Sequence, residues 1–392
     1  MQFADRLKNV ETSAIRELFK LLGKPGIISF SGGFPAPELF DVQGIELAAA
    51  HVLANDGRSV LQYGSTEGWE PLREALSEHM VKRGIEASAQ DIITTTGSQQ
   101  ALDLIAKSMI NPGDKVIVEA PTFLATIQCF RLYGADLVTA PVDENGVKVD
   151  ELERLILEHR PKLIYLIPNF GNPSGASLSI ERRRKVVELA ARHQVLIVED
   201  DAYGELYFNE PPPPNIIAIG QSVPGARDWI VYCGSFSKVL SPGLRVGWMI
   251  APRALLEKAV MCKQFSDAHT SNLSQAIAAQ YLSMNRLERS LNVVRKTYSE
   301  RALAMATSLR NVVGDRVKFN SPKGGMFIWA HLTDSGSDSA TFAKRAIDNM
   351  VAIVPGAPFF ATNADRSTFR LSFATVNTEQ ISEGVRRLAR SL

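Results

Sequence analysis

The sequence is poor in cysteine and has no long apolar run. Its 392 residues include 3 cysteines, Cys129, Cys233 and Cys262, which are widely spaced and form no Cys-x-x-Cys pair. Such thiols are typical of a reducing compartment, and they predict neither a disulfide framework nor a cysteine zinc site. No apolar run approaches the ~20 residues that cross a bilayer, and no signal-peptide core follows Met1, so a soluble cytoplasmic protein is expected.

The chain also lacks an excess of charge of either sign. Lysine and arginine number 43 and aspartate and glutamate 42, which gives no indication of nucleic acid or an anionic membrane as the main partner. The 6 histidines are scattered, and none has His-x-x-x-His or Glu-x-x-His spacing. We therefore predict no metal site, and the function must depend on other side chains.

Alternating elements dominate the sequence from about residue 91. Short apolar or β-branched runs alternate with amphipathic helical ones as far as Ile250. This order predicts an α/β fold with a doubly wound, mostly parallel sheet and helices on both faces.

Beyond Arg253 the regular alternation of strands and helices ends. Two long helical patterns, roughly 253–283 and 287–313, precede hairpin-like and mixed elements, which predict a smaller α+β domain. We expect three regions: an N-terminal segment associated with the small domain and the active site (1–40), a large domain (41–285) and a small C-terminal domain (286–392).

The stretch Ser235–Arg245 follows a short apolar run, Trp229–Cys233, that is typical of a buried strand. Ligands gather at the carboxyl edge of a parallel sheet, and Lys238 lies in this stretch. Desolvation there would lower the pKa of the lysine and free its amine to form a Schiff base with a carbonyl. Ser235, Ser237 and Arg245 would offer hydroxyls and a cationic fork to a phosphate. A lysine in a surface loop is the alternative for this stretch alone.

Other strand ends carry matching chemistry. Ser98 opens a helix directly after a strand, where backbone N–H groups attract an anion. Asn172 could donate to a phenolate-like oxygen, and Tyr203 adds a phenol. Asp200 closes an apolar strand and would be costly to bury unless a protonated pyridine nitrogen paired with it. Each feature alone also fits an ordinary cap or turn, but together they supply one partner for each polar group of pyridoxal phosphate.

The chain resembles, over essentially its whole length, the fold-type I pyridoxal-phosphate enzymes of the class I/II aminotransferase family. It is most similar to the 2-aminoadipate and kynurenine/aminoadipate aminotransferases. The segments that carry the resemblance are Ser31–Phe40, Thr95–Asp103, Asn172–Gly175, Glu199–Tyr203, Ser235–Arg245 and Thr368–Ser372.

The resemblance implies a role for each matching residue. Lys238 would bind the cofactor covalently and act as the base, and Asp200 would hold the pyridinium. Asn172 and Tyr203 would hold the ring oxygen, and Phe123 would stack on the ring. The residues implied at the phosphate are Ser98, Gln99, Ser235, Ser237 and Arg245, with Tyr63 reaching the site of a neighbouring subunit in a homodimer.

For the substrate, the resemblance implies that Arg370 binds the α-carboxylate with help from Gly33 and Asn172, and Tyr63 is also expected among the substrate-binding residues. Arg16 matches an arginine on a mobile N-terminal helix that reads a second carboxylate, although a surface ion pair is the alternative. Amino acids such as 2-aminoadipate, glutamate, leucine or aromatic ones, together with 2-oxo acids, are then the expected substrates. Gly171 departs from the glutamine or histidine of many relatives, which leaves substrate size open.

Two other functions remain open from the sequence. A β-eliminating lyase could use the same scaffold, since fold does not fix the reaction. A non-catalytic regulatory domain that binds pyridoxal phosphate would require a DNA-binding domain before Ser31, and about thirty residues precede that position.

Overall fold

The computed structural model of the chain describes residue 1, residues 3–7 and residues 25–392. No helix in these ranges is both long and apolar enough to cross a membrane. The strands within them are β1 (Ile28–Ser29), β2 (Ile92–Thr95), β3 (Lys115–Ala120), β4 (Asp136–Asp143), β5 (Gly146–Val147), β6 (Leu163–Leu166), β7 (Leu196–Asp200), β8 (Ile230–Ser235), β9 (Gly247–Ile250), β10 (Val317–Phe319), β11 (Phe327–Leu332), β12 (Val351–Ala352), β13 (Val354–Pro355) and β14 (Thr368–Ser372).

The longest of the described helices are Leu287–Ser308, with 22 residues, and Val42–Val60, with 19. The helices in the described ranges are α1 (Val42–Val60), α2 (Glu70–Lys82), α3 (Ser98–Met109), α4 (Leu124–Leu132), α5 (Val149–His159), α6 (Ile180–His193), α7 (Ile216–Gly220), α8 (Arg253–Gln264), α9 (Asn272–Ser283), α10 (Leu287–Ser308), α11 (Ser339–Asp348) and α12 (Thr378–Ala389). Single 3₁₀ turns occur at Asp5–Leu7, Pro37–Leu39, Ala89–Asp91, Arg227–Trp229, Pro242–Leu244, Gly314–Arg316 and Ala357–Phe359.

The large sheet has the strand order β2-β9-β8-β7-β6-β3-β4-β5. Strands β8, β7, β6, β3 and β4 run parallel, whereas β9 runs antiparallel to both of its neighbours. Every residue of β6, β7 and β8 is buried, so both faces of the sheet are covered, as the continuous apolar runs predict. The α/β architecture and the mostly parallel sheet are confirmed.

A second group of strands lies in the C-terminal third. Strands β10, β11, β14 and β13 form an antiparallel sheet, and β1 pairs in parallel with β12 through Ile28 and Val351. The segment that follows β1 is fastened to α10, because the Tyr298 phenol accepts a 3.0 Å hydrogen bond from Ala36 N. The chain around residues 28–36 therefore packs with the C-terminal third rather than with its sequence neighbours.

The predicted helical pattern over 253–283 is wrong in one respect, because it is two helices. Helix α8 ends at Gln264, and Ala268 adopts φ +60°, a left-handed conformation that breaks a helix. Ser271 then caps α9 by accepting a hydrogen bond from Ser274 N. The pattern over 287–313 is helical throughout, but its last turn, Leu309–Val313, is a π-helix.

Because β9 is antiparallel, its first residue lies at the same edge of the sheet as the last residues of its neighbours. Gly247 pairs with both Thr95 of β2 and Ser235 of β8, and Asp200 ends the next strand, β7. The edge at which these strands end therefore collects the polar segments that the sequence singles out.

Candidate active site

Lys238 lies in a turn just beyond β8. Its Nζ donates a 2.9 Å hydrogen bond to the carbonyl oxygen of Gly33, which belongs to the segment after β1. Burial, and next the positive charges of Arg370 and Arg245, lower the pKa of Lys238 to about 8. The amine can therefore lose its proton near neutral pH, as a nucleophile or base requires.

Asp200 lies at the end of β7, and only 4% of it is exposed. Its Oδ2 accepts a 2.7 Å hydrogen bond from the phenol of Tyr165, whereas its Oδ1 has no partner among the described residues. Burial raises the pKa of Asp200 to about 6, the Tyr165 bond opposes the rise, and the charge of Asp201 adds to it. An unpartnered buried carboxylate oxygen is costly, so this site is suited to a cationic partner.

Asn172, Tyr203 and Arg370 form a buried chain of hydrogen bonds. The Asn172 amide donates to the Tyr203 hydroxyl over 3.2 Å, and its Oδ1 accepts from Nη1 of Arg370 at 2.8 Å. Burial raises the pKa of Tyr203 to about 12, so its hydroxyl keeps its proton. One amide thereby fixes the positions of a phenol and a guanidinium.

Arg370 projects from β14 into this buried region. Its Nη2 donates to Ser31 O at 3.0 Å, and its guanidinium carbon lies 4.3 Å from the ring centre of Phe327 and 5.0 Å from that of Phe359. Burial lowers its pKa to about 10, which leaves it cationic at neutral pH. A side chain on Gly33 would lie within 3.8 Å of Nη2, so the glycine leaves that side of the fork open.

The turn between β2 and α3 forms a cradle with Arg245. Gly97 has φ +79°, which favours glycine, and a Cβ there would lie 2.7 Å from Nη2 of Arg245, so that guanidinium would have to move. Ser98 is the first residue of α3, where the backbone N–H groups and the helix dipole favour an anion. Arg245 also donates to Thr96 O at 3.2 Å.

The serines of the Lys238 turn lie beside this cradle. The Ser235 hydroxyl donates to that of Ser237 over 3.0 Å and accepts from Ser237 N at 3.1 Å. Ser235 also pairs with Gly247, where a Cβ would lie only 2.7 Å from Ser98 N. The hydroxyls, the helix start and the arginine thus border one small region.

Three further predicted site residues, Gln99, Phe123 and Tyr63, take no part in the contacts described above. Gln99 is exposed at the start of α3, and Phe123 is half-buried at the residue that precedes α4. Tyr63 is 84% exposed, and its ring lies edge-on to that of His269, with the ring centres 5.8 Å apart. Arg16 lies outside the described residues.

Tyr165 is a residue that sequence reasoning missed. It is fully buried within β6, in a run that reads as an ordinary core strand. A tyrosine hydroxyl needs a partner when buried, and that requirement is the only signal the sequence offers. The sequence does not tell which partner the hydroxyl reaches.

The fold and this site define the class: the molecule is a fold-type I enzyme dependent on pyridoxal phosphate. The family model for aminotransferase class I and II matches residues 31–388, and the chain belongs to that family. It is a transaminase.

Relatives match along nearly the whole chain. A 2-aminoadipate transaminase of Thermus thermophilus is 43% identical over 98% of this chain and 94% of its own. An aromatic-amino-acid aminotransferase of Thermococcus litoralis is 40% identical over 100% of this chain and 94% of its own. The crystal structure of the α-aminoadipate aminotransferase of Thermus thermophilus, complexed with N-(5'-phosphopyridoxyl)-L-leucine, has a TM-score of 0.92, with 40% identity over 100% of this chain and 97% of that one.

The residues present fit pyridoxal phosphate. The unpartnered Oδ1 of Asp200 is an acceptor for the pyridine N–H, and the Gly97 turn is a cradle that a side chain would fill. Lys238 supplies an amine that titrates near neutrality. The cofactor of this transaminase is pyridoxal 5'-phosphate.

Proposed function

We propose that the chain moves the amino group of L-amino acids, among them 2-aminoadipate, glutamate, leucine and aromatic amino acids, to 2-oxo acids by a ping-pong cycle. The observation that carries the proposal is that Lys238, the proton-transferring amine, and Arg370, the carboxylate-binding guanidinium, both lie beside Gly33. Lys238 bonds to Gly33 O, and Arg370 lies beside the same glycine. A substrate whose α-carboxylate rests on Arg370 therefore has its α-carbon near the amine that handles the proton.

Each cofactor-binding residue has an assigned task. Asp200 holds the ring nitrogen with Oδ1, while Asn172 and Tyr203 donate to the ring oxygen. Phe123, the residue that precedes α4, would stack on the ring. The phosphate is held by the hydroxyls and N–H groups of the cradle and by its arginine, namely by Ser98, Gln99, Ser235, Ser237 and Arg245.

When bound, pyridoxal phosphate supplies a sink for the electron pair left at the substrate α-carbon once its proton is removed, together with a carbon that can carry the amino group. Lys238 anchors the cofactor between turnovers and moves the proton at Nζ, for which its pKa of about 8 is suited. Arg370 binds the α-carboxylate with a rigid fork, which orients the α-carbon toward Nζ. The apolar rings of Phe327 and Phe359 exclude water on that side.

The chain also acts as a homodimer with composite sites in this proposal. Tyr63 and Phe265 are 84% and 86% exposed, and Asn272 of α9 donates a 3.0 Å hydrogen bond to the carbonyl oxygen of Gln62, next to Tyr63. Large apolar side chains at the surface favour a protein partner. A second copy would cover them and receive the Tyr63 phenol at its phosphate. The unpaired cysteines support a reducing, cytoplasmic compartment.

The deciding experiment is a panel of amino donors and 2-oxo acids on cofactor-loaded protein, with spectroscopy of the half-reaction. A transaminase converts its bound cofactor with an amino acid alone and releases the matching 2-oxo acid. Release of pyruvate with free ammonia from a donor with a leaving group at Cβ would indicate a lyase. No turnover with any donor would leave a binding function.

Composite sites can be tested by mixing two variants. A dimer formed from Lys238→Ala and Tyr63→Ala chains contains one site with both native residues if Tyr63 serves the neighbouring copy. Activity above the sum of the separate variants supports the composite site. No gain on subunit exchange contradicts it.

A further inference from the structure

An ion pair between the buried Lys263 and the partly exposed Asp267 is bonded to the phosphate cradle, outside the residues assigned to the cofactor. Lys263, in the last turn of α8, is fully buried. Its Nζ contacts both carboxylate oxygens of Asp267, at 2.8 and 3.1 Å. Burial raises the pKa of Asp267, but hydrogen bonds from Lys263, Gln100 and Thr96 outweigh it and hold the pKa below its usual value. Asp267 is thus held in its charged form, whereas burial lowers the pKa of Lys263 against the opposing effect of Asp267.

The pair is connected to the cradle through Gln100. The Oε1 of Gln100 accepts from Lys263 Nζ at 3.0 Å and from Thr96 N at 2.7 Å. Its Nε2 donates to Asp267 Oδ2 at 2.7 Å. One amide therefore transmits the position of the ion pair to the residue just before Gly97.

The other polar groups of Thr96 are held as well. Its hydroxyl donates to Asp267 Oδ2 at 3.0 Å, and its carbonyl oxygen accepts from Arg245. The backbone N–H, the hydroxyl and the carbonyl of Thr96 are thus all hydrogen-bonded. The hydroxyl is bonded to Asp267 itself, and the N–H is connected to the ion pair through Gln100. Thr96 directly precedes Gly97 and is bonded to Arg245, so a shift of Thr96 would move both the turn and the arginine of the cradle.

We propose that Lys263 and Asp267 are positioning residues that hold the Thr96–Ser98 turn in the geometry that binds the cofactor phosphate. The inference rests on the proposed assignment of that turn to the phosphate. An ion pair that served stability alone would need no bond to the turn, whereas here Thr96 is bonded to Asp267 directly and to both members of the pair through Gln100. The polar bonds of the pair therefore serve recognition as well as packing.

The test compares pyridoxal 5'-phosphate with pyridoxal, which lacks the phosphate, as ligands of the apoprotein. Dissociation constants are measured for wild type, Lys263→Met, Asp267→Asn and Gln100→Leu. We expect affinity for the phosphorylated ligand to fall at least about tenfold, the effect of misaligning one hydrogen bond to a charged group, with pyridoxal binding unchanged. Gln100→Leu keeps the ion pair and provides the test if Lys263→Met does not fold.

Asp267→Asn distinguishes a pair that positions the turn from a pair that acts on the phosphate only through its charges. Removing a negative charge near the phosphate would raise affinity if the pair acted only through its charges, but would lower it if the pair positions the turn. Arg286→Met is the matched control, because it breaks the ion pair with Asp41, a carboxylate whose other hydrogen bonds come from Gly44 and Tyr281. It should lower Tm without changing the ratio of the two affinities.

Two results would overturn the inference in different ways. Variants that lose affinity for both ligands equally, or an Asp267→Asn variant that binds the phosphorylated ligand as well as wild type, would reduce the pair to a structural role. A wild type that does not prefer the phosphorylated ligand would instead refute the assignment of the cradle, and the inference with it.

Discussion

The phenol of Tyr165 donates a 2.7 Å hydrogen bond to Oδ2 of Asp200 and leaves Oδ1 of that carboxylate without a partner among the described residues. One oxygen is thus fixed by the protein, and the other is available to a ligand. Two predictions depend on this asymmetry.

The first prediction concerns the charge of Asp200. Asp200→Asn keeps the shape of the side chain but removes the negative charge that favours a protonated ring nitrogen. Cofactor should remain bound, while kcat falls by ~10²–10⁴, the range for a group that handles a key proton. Single-turnover kinetics of the amino-acid half-reaction measure the effect. A near-normal rate would place the ring nitrogen elsewhere.

The same substitution should change how the stability of the apoprotein depends on pH. Asp200 has a folded pKa of about 6 against an ordinary 3.8, so the folded state retains a proton that the unfolded state has lost between these values. Stability therefore falls as pH rises from about 4 to about 6, by on the order of 3 kcal/mol. Asp200→Asn removes this loss, so its Tm should exceed that of wild type at pH 7.5 and approach it at pH 4.5. An equal difference at both pH values would contradict the assignment.

The second prediction concerns Tyr165. Burial and then the charge of Asp200 raise the pKa of Tyr165 well above its usual value, so it remains a donor throughout the working range. Tyr165→Phe removes a bond that favours the ionised carboxylate, and the pKa of Asp200 should rise. The acid limb of the kcat profile should therefore move up by ~1–2 pH units, the equivalent of a hydrogen bond to a charged group.

A control is available for that shift. Tyr281→Phe also deletes a bond from a buried tyrosine to an aspartate, in this case Asp41, outside the proposed site. It should leave the acid limb in place. An unshifted limb in Tyr165→Phe, or an equal shift in both variants, would remove Tyr165 from the tuning of the site.

The sequence predicted the residues whose chemistry is distinctive and whose place follows from the sheet. Lys238, Asp200 and Asn172 follow or end apolar strands, and such strand ends meet at one edge. Tyr165 could not be found in this way, because a tyrosine inside a strand looks like core until its partner is known. Lys263 looks like any helix lysine, since its burial depends on the helix break near Ala268.

The third prediction is that Lys238 carries the cofactor. Reduction of the holoprotein with borohydride should fix the pyridoxyl group to a peptide that contains Lys238, and Lys238→Ala should yield no labelled peptide. Because burial and two arginines lower the pKa of Lys238 to about 8, recapture of cofactor by the apoprotein should accelerate as pH rises through 8 rather than through 10.5. A label on another lysine would refute the assignment.

The last prediction concerns the second carboxylate of an acidic substrate. Arg370 accounts for the α-carboxylate common to all amino acids, so Arg370→Met should weaken every donor alike. Arg16, which matches the arginine that the resembling aminoadipate enzymes use for the second carboxylate, should matter only for 2-aminoadipate and glutamate. Arg16→Ala should raise KM for these donors, with a loss of binding free energy of up to the ~1.5–3 kcal/mol of a hydrogen bond to a charged group. KM for leucine and phenylalanine should not change. KM and kcat for the four donors, measured on both variants, decide the matter. An equal loss for acidic and apolar donors in Arg16→Ala would remove Arg16 from recognition of the side chain.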